Sequence, residues 1–314
     1  MRSLAYAFLI VMFLLVGCRA QDNTPPPAPR VVLSDFGGHS LIRLDPNTGR
    51  IDGPVHPMPG SPAGLAAGRG LVALALLGRP YLQILSSPGL EELRRIHVGK
   101  GCSDVALDSS EQRLAAACPE SGEILLVAVE GGEVRRVSVG GQPHSLVWEG
   151  ERVYLTNPGR GTLQWIDPVR GVLEGETPLG LGPRGLAVSG GQVLVTLYDA
   201  NQLAVLSMDR LGEVRHLALA GGPHAVVPTG GGALVSLMES GEVAALDLDS
   251  GQATRIPVGA GAAGMTLSPD GQFLFVCCEV AGQVAVLALH DNQVIQHVAL
   301  PPGVRPREAV FALP

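Results

Sequence analysis

Short apolar runs separated by polar turns recur along almost the whole chain after residue 30. Each run is flanked by Gly, Asp or Asn, which is the spacing expected of β-strands joined by hairpins. Residues 31–314 show no sustained apolar period of 3.6 residues, the pattern typical of an amphipathic helix. The pattern therefore predicts an all-β fold.

The strand pattern repeats about every 40 residues. A motif of the form Gly-x-x-Pro-x-x-Leu-Ala occurs seven times with variation, and its proline position falls at 62, 102, 143, 183, 223, 262 and 306. A period near 40 residues with four strands per unit is typical of β-propeller blades. We therefore expect a seven-bladed β-propeller with four-stranded antiparallel blades.

The two ends of the repeat indicate how the ring closes. Residues 31–55 contain the second, third and fourth strands of a blade but no proline motif before them, and the chain ends soon after the last motif, at 305–313. We expect the C-terminal strand to join the N-terminal blade, so that 31–55 and 299–314 form one composite blade within a propeller that spans 31–314. Such closure removes the free sheet edges that promote aggregation.

The first 17 residues are typical of an export signal. Arg2 is followed by an apolar run from Leu4 to Val16, which is shorter than the roughly 20 residues that a membrane-spanning helix needs. The run ends in Leu-Val-Gly-Cys at Cys18, which resembles a lipobox. We therefore predict a lipoprotein signal peptide at 1–17 and lipidation of Cys18; the alternative is an ordinary signal peptide with an incidental cysteine.

Residues 18–30 follow as a proline-rich stretch, which favours an extended, semi-rigid spacer. With the lipid on Cys18, this spacer implies a protein of the cell envelope, anchored to a membrane on its periplasmic or extracellular face.

The amino-acid composition argues against nucleic acid as a binding partner. The chain carries a net charge of −7 and only 16% charged residues, so it lacks the basic surface that nucleic-acid binding requires. No CxxCH, CxxC, HExxH, phosphate loop or Gly-x-Ser-x-Gly motif is present. We predict no cofactor and no metal.

One segment of each unit resembles a known repeat. Val153–Asp167 reads VYLTNPGRGTLQWID, and related copies begin at Val31, Val193 and Leu274. This is similar to the YVTN-type repeat of seven-bladed propellers, and the resemblance covers residues 31 to about 310. That superfamily includes lactonases, lyases and binding proteins, so the resemblance implies the fold and leaves the activity open.

The residue after each proline position should lie at one mouth of the central channel. These residues are Ala63, Ser103, His144, Arg184, His224, Ala263 and Arg307. The four basic members suit a carboxylate, phosphate or sulfate ligand. The alternative is that they bond to loop carbonyls and water. Two histidines alone do not complete a metal site.

The ends of the second strands should meet the same mouth, because neighbouring strands are antiparallel. Asp35, Asn157, Tyr198 and Glu279 lie at or just after these ends and join the candidate ligand-binding residues. Asp35 and Glu279 are also candidates to pair with Arg307, which would reduce the positive charge of the mouth.

The cysteines suggest one disulfide. Cys102 begins an inner strand and Cys118 ends the next one, so their ends are neighbours and a bond between them is expected. Cys277 and Cys278 are adjacent on one strand; two reduced thiols or a vicinal bridge are the alternatives.

Two functions remain from different classes. The first is a non-catalytic module that binds or scaffolds an unknown protein or a small anionic ligand. The second is a lactonase- or lyase-type enzyme that uses the same mouth, and it requires a carboxylate such as Asp35 or Glu279 within hydrogen-bond reach of His144 or His224. Electron transfer lacks a cofactor motif.

Overall fold

The computed structural model describes residues 28–314. The predicted signal peptide, the lipidation site at Cys18 and most of the spacer lie outside the described residues. Regular structure in the described part consists of 29 β-strands. No helix within residues 28–314 is long and apolar enough to cross a membrane.

The strands form seven blades in chain order. Blade 1 begins with β1 (Arg30–Asp35), β2 (Ser40–Asp45), β3 (Arg50–Ile51) and β4 (His56–Pro57). Blade 2 contains β5 (Ser61–Gly68), β6 (Leu71–Leu77), β7 (Tyr81–Ser86) and β8 (Glu92–His97). Blade 3 contains β9 (Asp104–Leu107), β10 (Arg113–Cys118), β11 (Glu123–Ala128) and β12 (Val134–Ser138). Blade 4 contains β13 (Leu146–Glu149), β14 (Arg152–Asn157), β15 (Thr162–Asp167) and β16 (Val172–Pro178).

The remaining blades follow the same plan. Blade 5 contains β17 (Pro183–Ser189), β18 (Gln192–Leu197), β19 (Gln202–Ser207) and β20 (Arg210–Ala218). Blade 6 contains β21 (Pro223–Thr229), β22 (Gly232–Leu237), β23 (Glu242–Asp247) and β24 (Ala253–Pro257). Blade 7 contains β25 (Ala262–Leu267), β26 (Phe273–Cys278), β27 (Gln283–Ala288) and β28 (Gln293–Ala299). The last strand, β29 (Pro306–Ala312), returns to blade 1.

Blade 1 closes the ring. Its sheet order is β29-β1-β2-β3, with β4 paired to β2, and β29 runs antiparallel to β1 so that Val31 lies opposite Phe311. The other six sheets each join four consecutive antiparallel strands. The predicted all-β, seven-bladed architecture and its closure by the C-terminal strand are therefore confirmed.

Small aliphatic side chains fill the space between blades. Between blades 2 and 3, for example, Ala73 and Ile84 pack with Leu114 and Leu125, all of them buried. Burial of such apolar area stabilises the fold by about 25 cal/mol per Å². This packing accounts for a chain with only 4% aromatic residues.

The innermost strands approach one another closely around the channel. An added Cβ at Gly64 would collide with the backbone of Asp104, and one at Gly264 would collide with the Arg307 carbonyl. Glycine at these positions lets the inner strands pack backbone against backbone and leaves room for the side chains that line the channel.

The four described cysteines divide into one bonded pair and two thiols. Cys102, just before β9, and Cys118, at the end of β10, form a disulfide. A cross-link over a loop of this length stabilises a fold by about 3 kcal/mol. Cys277 and Cys278 are buried and unbonded, and burial raises the pKa of Cys278 to about 11.

Candidate functional site

The residues that follow each proline position and the ends of the second strands meet at one end of the central channel, as predicted. Asp35, at the end of β1, lies opposite Pro306 at the start of β29, and Leu197 lies opposite Pro183 in the same way. We call this end of the channel the mouth.

The mouth opens into a cavity of about 240 Å³ on the propeller axis. His144, Arg184, His224 and Arg307 all line it. The four basic residues predicted from the repeat thus share one cavity, although they are up to 163 positions apart in the chain.

Hydroxyl groups of the second strands hold this ring in place. Thr156 Oγ1 donates to the carbonyl of Arg184 (2.8 Å), and Thr196 Oγ1 donates to the carbonyl of His224 (2.8 Å). Both threonines are fully buried. Each hydroxyl reaches from one blade to the inner strand of the next, so the backbone of the ring is fixed by buried hydrogen bonds.

Arg184 carries an unneutralised charge. Its guanidinium carbon lies 4.5 Å from the ring centroid of Tyr198, in cation–π contact. Among residues 28–314, its side chain forms no ion pair with a carboxylate. Tyr198 therefore orients the guanidinium without cancelling its charge.

Arg307 is partly neutralised. Its Nη1 lies 3.2 Å from Glu279 Oε2, and the other oxygen of Glu279 lies 2.6 Å from Arg305 Nη2. The guanidinium also stacks on Phe36, at 4.8 Å from the ring centroid. Glu279, which is 3% exposed, thus divides one negative charge between two arginines.

Asp35 does not join this ion pair. Its Oδ1 accepts hydrogen bonds from the backbone N–H of Gly38 and of Arg305 (2.9 Å each), and its Oδ2 accepts one from the Ser40 hydroxyl. The suggested pairing of Asp35 with Arg307 is wrong, because the carboxylate is occupied by a backbone N–H of the β1–β2 turn, a backbone N–H of the segment before β29 and a serine hydroxyl. Asp35 instead shapes the turn beside the mouth.

Asn157 is also engaged within the scaffold. Its side chain is fully buried, donates to Gly140 O and Gln164 Oε1, and accepts from the backbone N–H of Gln142. It fixes the loop that precedes β13 and does not line the cavity.

The two channel histidines are uncharged near neutral pH. Burial, and then the positive charges of Arg184 and Arg307, lower the pKa of His144 to about 4. Burial, and then the charge of Arg307, lower the pKa of His224 to about 3. Each neutral imidazole offers one donor and one acceptor nitrogen.

His224 has unmet hydrogen-bonding capacity. The residue is 5% exposed and lines the cavity, yet neither ring nitrogen has a hydrogen-bond partner within the described part of the chain. His144 differs, because its Nδ1 lies 3.3 Å from the Ser145 hydroxyl. Buried polar groups are almost always paired, so the unpaired ring of His224 is an exception among the residues that line the cavity.

Two carboxyl groups that the repeat pattern did not predict line the channel one position further along the inner strands. Burial raises the pKa of Asp104 to about 7, although the backbone N–H groups of Leu146 and Val105 donate to it. Burial, and then the charge of Asp104, raise the pKa of Glu308 to about 8. Protein surrounds both groups except on the side that faces the channel, where they stay partly accessible.

The sequence offered only a weak indication that Asp104 and Glu308 line the channel. Acidic residues follow the ring position in only two of the seven repeats, in Ser103-Asp104 and Arg307-Glu308. The carboxyl of Glu308 forms no hydrogen bond with another described residue, and its backbone N–H donates to Ser34 Oγ. Near neutral pH this carboxyl can hold or release a proton.

These groups define the chemistry of the site. The channel combines two guanidinium groups, two neutral imidazoles and two carboxyl groups with raised pKa values. Such a site can bind an anion and exchange a proton with it. Within residues 28–314, no three His, Cys, Asp or Glu side chains are grouped so as to hold a metal ion.

The described residues thus form a seven-bladed β-propeller whose central channel is lined by basic and acidic side chains. No family model matches the chain, and no curated protein matches it in sequence. Its fold is similar to that of solved propeller structures.

Three of these structures illustrate the range of the fold. The periplasmic gluconolactonase of Pseudomonas aeruginosa is 19% identical, with a TM-score of 0.73 over 90% of this chain and 99% of that chain. A putative 6-phosphogluconolactonase of Bacteroides fragilis is 13% identical, with a TM-score of 0.73 over 90% and 98%. Hydrazine synthase of Kuenenia stuttgartiensis is 16% identical, with a TM-score of 0.73 over 82% and 91%. At these identities the likeness establishes the fold alone.

Proposed function

We propose that this protein is an envelope-tethered propeller that binds a small anionic ligand in the mouth of its central channel. His224 is the observation that carries the proposal, because it is buried, lines the cavity and has two ring nitrogens without a partner among residues 28–314. Arg184 supplies the charge for an anion, and Arg307 and His144 lie around the same cavity.

Size and charge support a small ligand. The cavity of about 240 Å³ is below the roughly 300–1,000 Å³ of sites for drug-sized molecules. A guanidinium with no carboxylate partner attracts an oxyanion strongly in a site with little competing solvent. A carboxylate or phosphate therefore fits better than a long or neutral molecule.

Binding is testable by isothermal titration at pH 6.5 with phosphate, sulfate, acetate and gluconate. We expect at least one of these anions to bind wild-type protein at one site, and Arg184→Ala to weaken that binding. Arg170→Ala is the matched control, because Arg170 is exposed and lies outside the cavity. Absence of binding by all four anions, or equal binding by Arg184→Ala, would contradict the proposal.

The tether is part of this proposal. We infer that Cys18 carries a lipid, that residues 19–30 connect it to a YVTN-type propeller, and that the protein resides in the cell envelope. Because β1 runs from Arg30 to Asp35 and Asp35 lies at the mouth, the spacer joins the propeller at the opposite end of the channel. The mouth then faces away from the membrane and is accessible to soluble ligands.

Cell fractionation tests the tether. We expect the wild-type protein in the membrane fraction and the Cys18→Ser variant in the soluble envelope fraction. Membrane association of Cys18→Ser would overturn the lipid anchor and leave the ligand proposal unaffected.

A lactonase-type hydrolase is the second candidate. Neither His144 nor His224 forms a hydrogen bond or ion pair with a carboxylate among residues 28–314, so the predicted carboxylate–histidine pair of an enzyme is not formed. Glu308 supports a hydrolase on other grounds, because its carboxyl lines the same cavity and burial raises its pKa to about 8. The fold similarity to gluconolactonases is consistent with it.

Hydrolysis of δ-gluconolactone above the spontaneous rate tests this candidate. We expect any such activity to fall in Glu308→Gln while Arg170→Ala retains it. A rate equal to the spontaneous one would remove the enzyme candidate and leave binding as the function.

A further inference from the structure

A second cavity lies at the end of the propeller opposite the mouth, between blades 7 and 1. It has a volume of about 370 Å³ and is lined mainly by apolar side chains. The chain has four phenylalanines between residues 28 and 314, and three of them, Phe273, Phe275 and Phe311, line this cavity. A protein with so few aromatic residues therefore concentrates them at one site.

The phenylalanines form an ordered wall. Phe275 and Phe311 pack edge to face with ring centroids 5.5 Å apart. Ile295 stands at the rim with 55% of its surface exposed. Covering exposed apolar area of this kind stabilises a protein, which favours an apolar occupant.

The chain itself leads to this cavity. Pro29 forms part of the wall, and the residues before it read Pro25-Pro26-Pro27-Ala28. Arg30 is held by an ion pair with Asp52, so the point where the N-terminal segment leaves the propeller is fixed beside the cavity. Proline-rich segments bind to aromatic-lined grooves because their polyproline conformation is already ordered.

We propose that this cavity binds the proline-rich segment Pro25–Pro27 of the same chain. Docking covers the junction between blades 7 and 1 and holds the tether against the end of the propeller opposite the mouth. This inference does not depend on the ligand that the channel takes.

Thermal unfolding of the full mature chain in a double-mutant cycle tests the proposal. One variant replaces the three prolines (Pro25→Ser, Pro26→Ser and Pro27→Ser), and the other is Ile295→Ser. We expect each to lower the melting temperature by about 2–4 °C. In the variant without the prolines, Ile295→Ser should have little further effect, because the contact is already lost.

Leu93→Ser is the matched control for Ile295→Ser. Leu93 is 59% exposed on the outer strand of blade 2 and lies outside the cavity, so its effect should be small and independent of the prolines. Additive effects of the proline and Ile295 changes, or an Ile295→Ser effect no larger than that of Leu93→Ser, would overturn the proposal.

The main competing occupant of the cavity is an acyl chain of the lipid anchor. Repeating the Ile295→Ser measurement in the Cys18→Ser variant, which lacks the lipid, distinguishes the two occupants. If the Ile295→Ser effect persists without the prolines but disappears without the lipid, the acyl chain occupies the cavity and the proposal is wrong. If the effect persists in Cys18→Ser and disappears without the prolines, the proline segment is the occupant.

Discussion

The two arginines of the channel mouth are held in different ways. Arg184 stacks on Tyr198 and has no carboxylate partner among the described residues, whereas Arg307 stacks on Phe36 and shares Glu279 with Arg305. Both are oriented by an aromatic ring, but only one keeps its full charge. If the mouth binds an anion as proposed, we expect the Arg184 side to attract it more strongly than the Arg307 side.

Removing each guanidinium group in turn should show the difference between the two sides most clearly, as unequal losses of anion affinity. We expect Arg184→Ala to weaken anion binding about 10- to 100-fold, the effect of one hydrogen bond to a charged group. Arg307→Ala should weaken it less than about tenfold, because part of its charge is already engaged by Glu279. Titration calorimetry on both variants measures the two losses of anion affinity. Equal losses would remove the distinction between the two sides.

Proton binding in the channel should give the next largest effect. Asp104 and Glu308 have pKa values raised to about 7 and about 8, so both are mainly neutral at pH 6 and both are charged at pH 9. Anion affinity should therefore fall about tenfold or more as the pH rises through this window. The channel histidines stay neutral throughout, since their pKa values are about 4 and about 3.

Glu308→Gln should make the pH profile shallower, because it removes the charge that forms at high pH. Glu133→Gln, an exposed substitution outside the cavity, provides the control. An unchanged profile in Glu308→Gln would show that this carboxyl does not act on the anion.

Removal of the shared carboxylate should make the two sides more alike. We expect Glu279→Gln to raise anion affinity about fivefold, because it frees the charges of Arg305 and Arg307 while keeping a side chain of the same shape. Titration calorimetry measures the change, with thermal unfolding as a check that the variant folds. A loss of affinity would mean that Glu279 serves mainly to position Arg307.

Loss of the aromatic ring beneath Arg184 should have the smallest effect. Tyr198→Leu removes a cation–π contact worth about 0.5 kcal/mol near the surface, so affinity should fall about twofold. Tyr198→Phe keeps the ring and should bind like wild type. Equal losses in both variants would assign the effect to the Tyr198 hydroxyl instead.

The global fold could be predicted from the sequence because it depends on the spacing of the repeated motif along the chain. The 39–44-residue steps between proline positions set the number of blades, and the incomplete repeats at the two ends specified the closure. The same register brought His144, Arg184, His224 and Arg307 to one cavity, since each occupies the same position in its blade.

Side-chain partners were harder to predict because several nearby donors compete for the same acceptor. Asp35 was available to Arg307 by position, but two backbone N–H groups occupy one of its oxygens and the Ser40 hydroxyl occupies the other. Glu308 lies one residue beyond the ring position and enters the channel only because Gly264 leaves space beside it. The pocket formed by Phe273 and Phe311 joins strands from two blades, which no local pattern reveals.

Nitrogen-15 NMR of the histidine side chains tests the central claim most directly. The chain has eight histidines, and His224 alone among the described ones is both buried and without a partner at either ring nitrogen. When an anion that binds is added at pH 6.5, we expect a hydrogen-bond shift at a ring nitrogen of His224, which Arg184→Ala should weaken. Saturable binding that leaves the His224 signals unchanged would place the anion elsewhere and contradict the account.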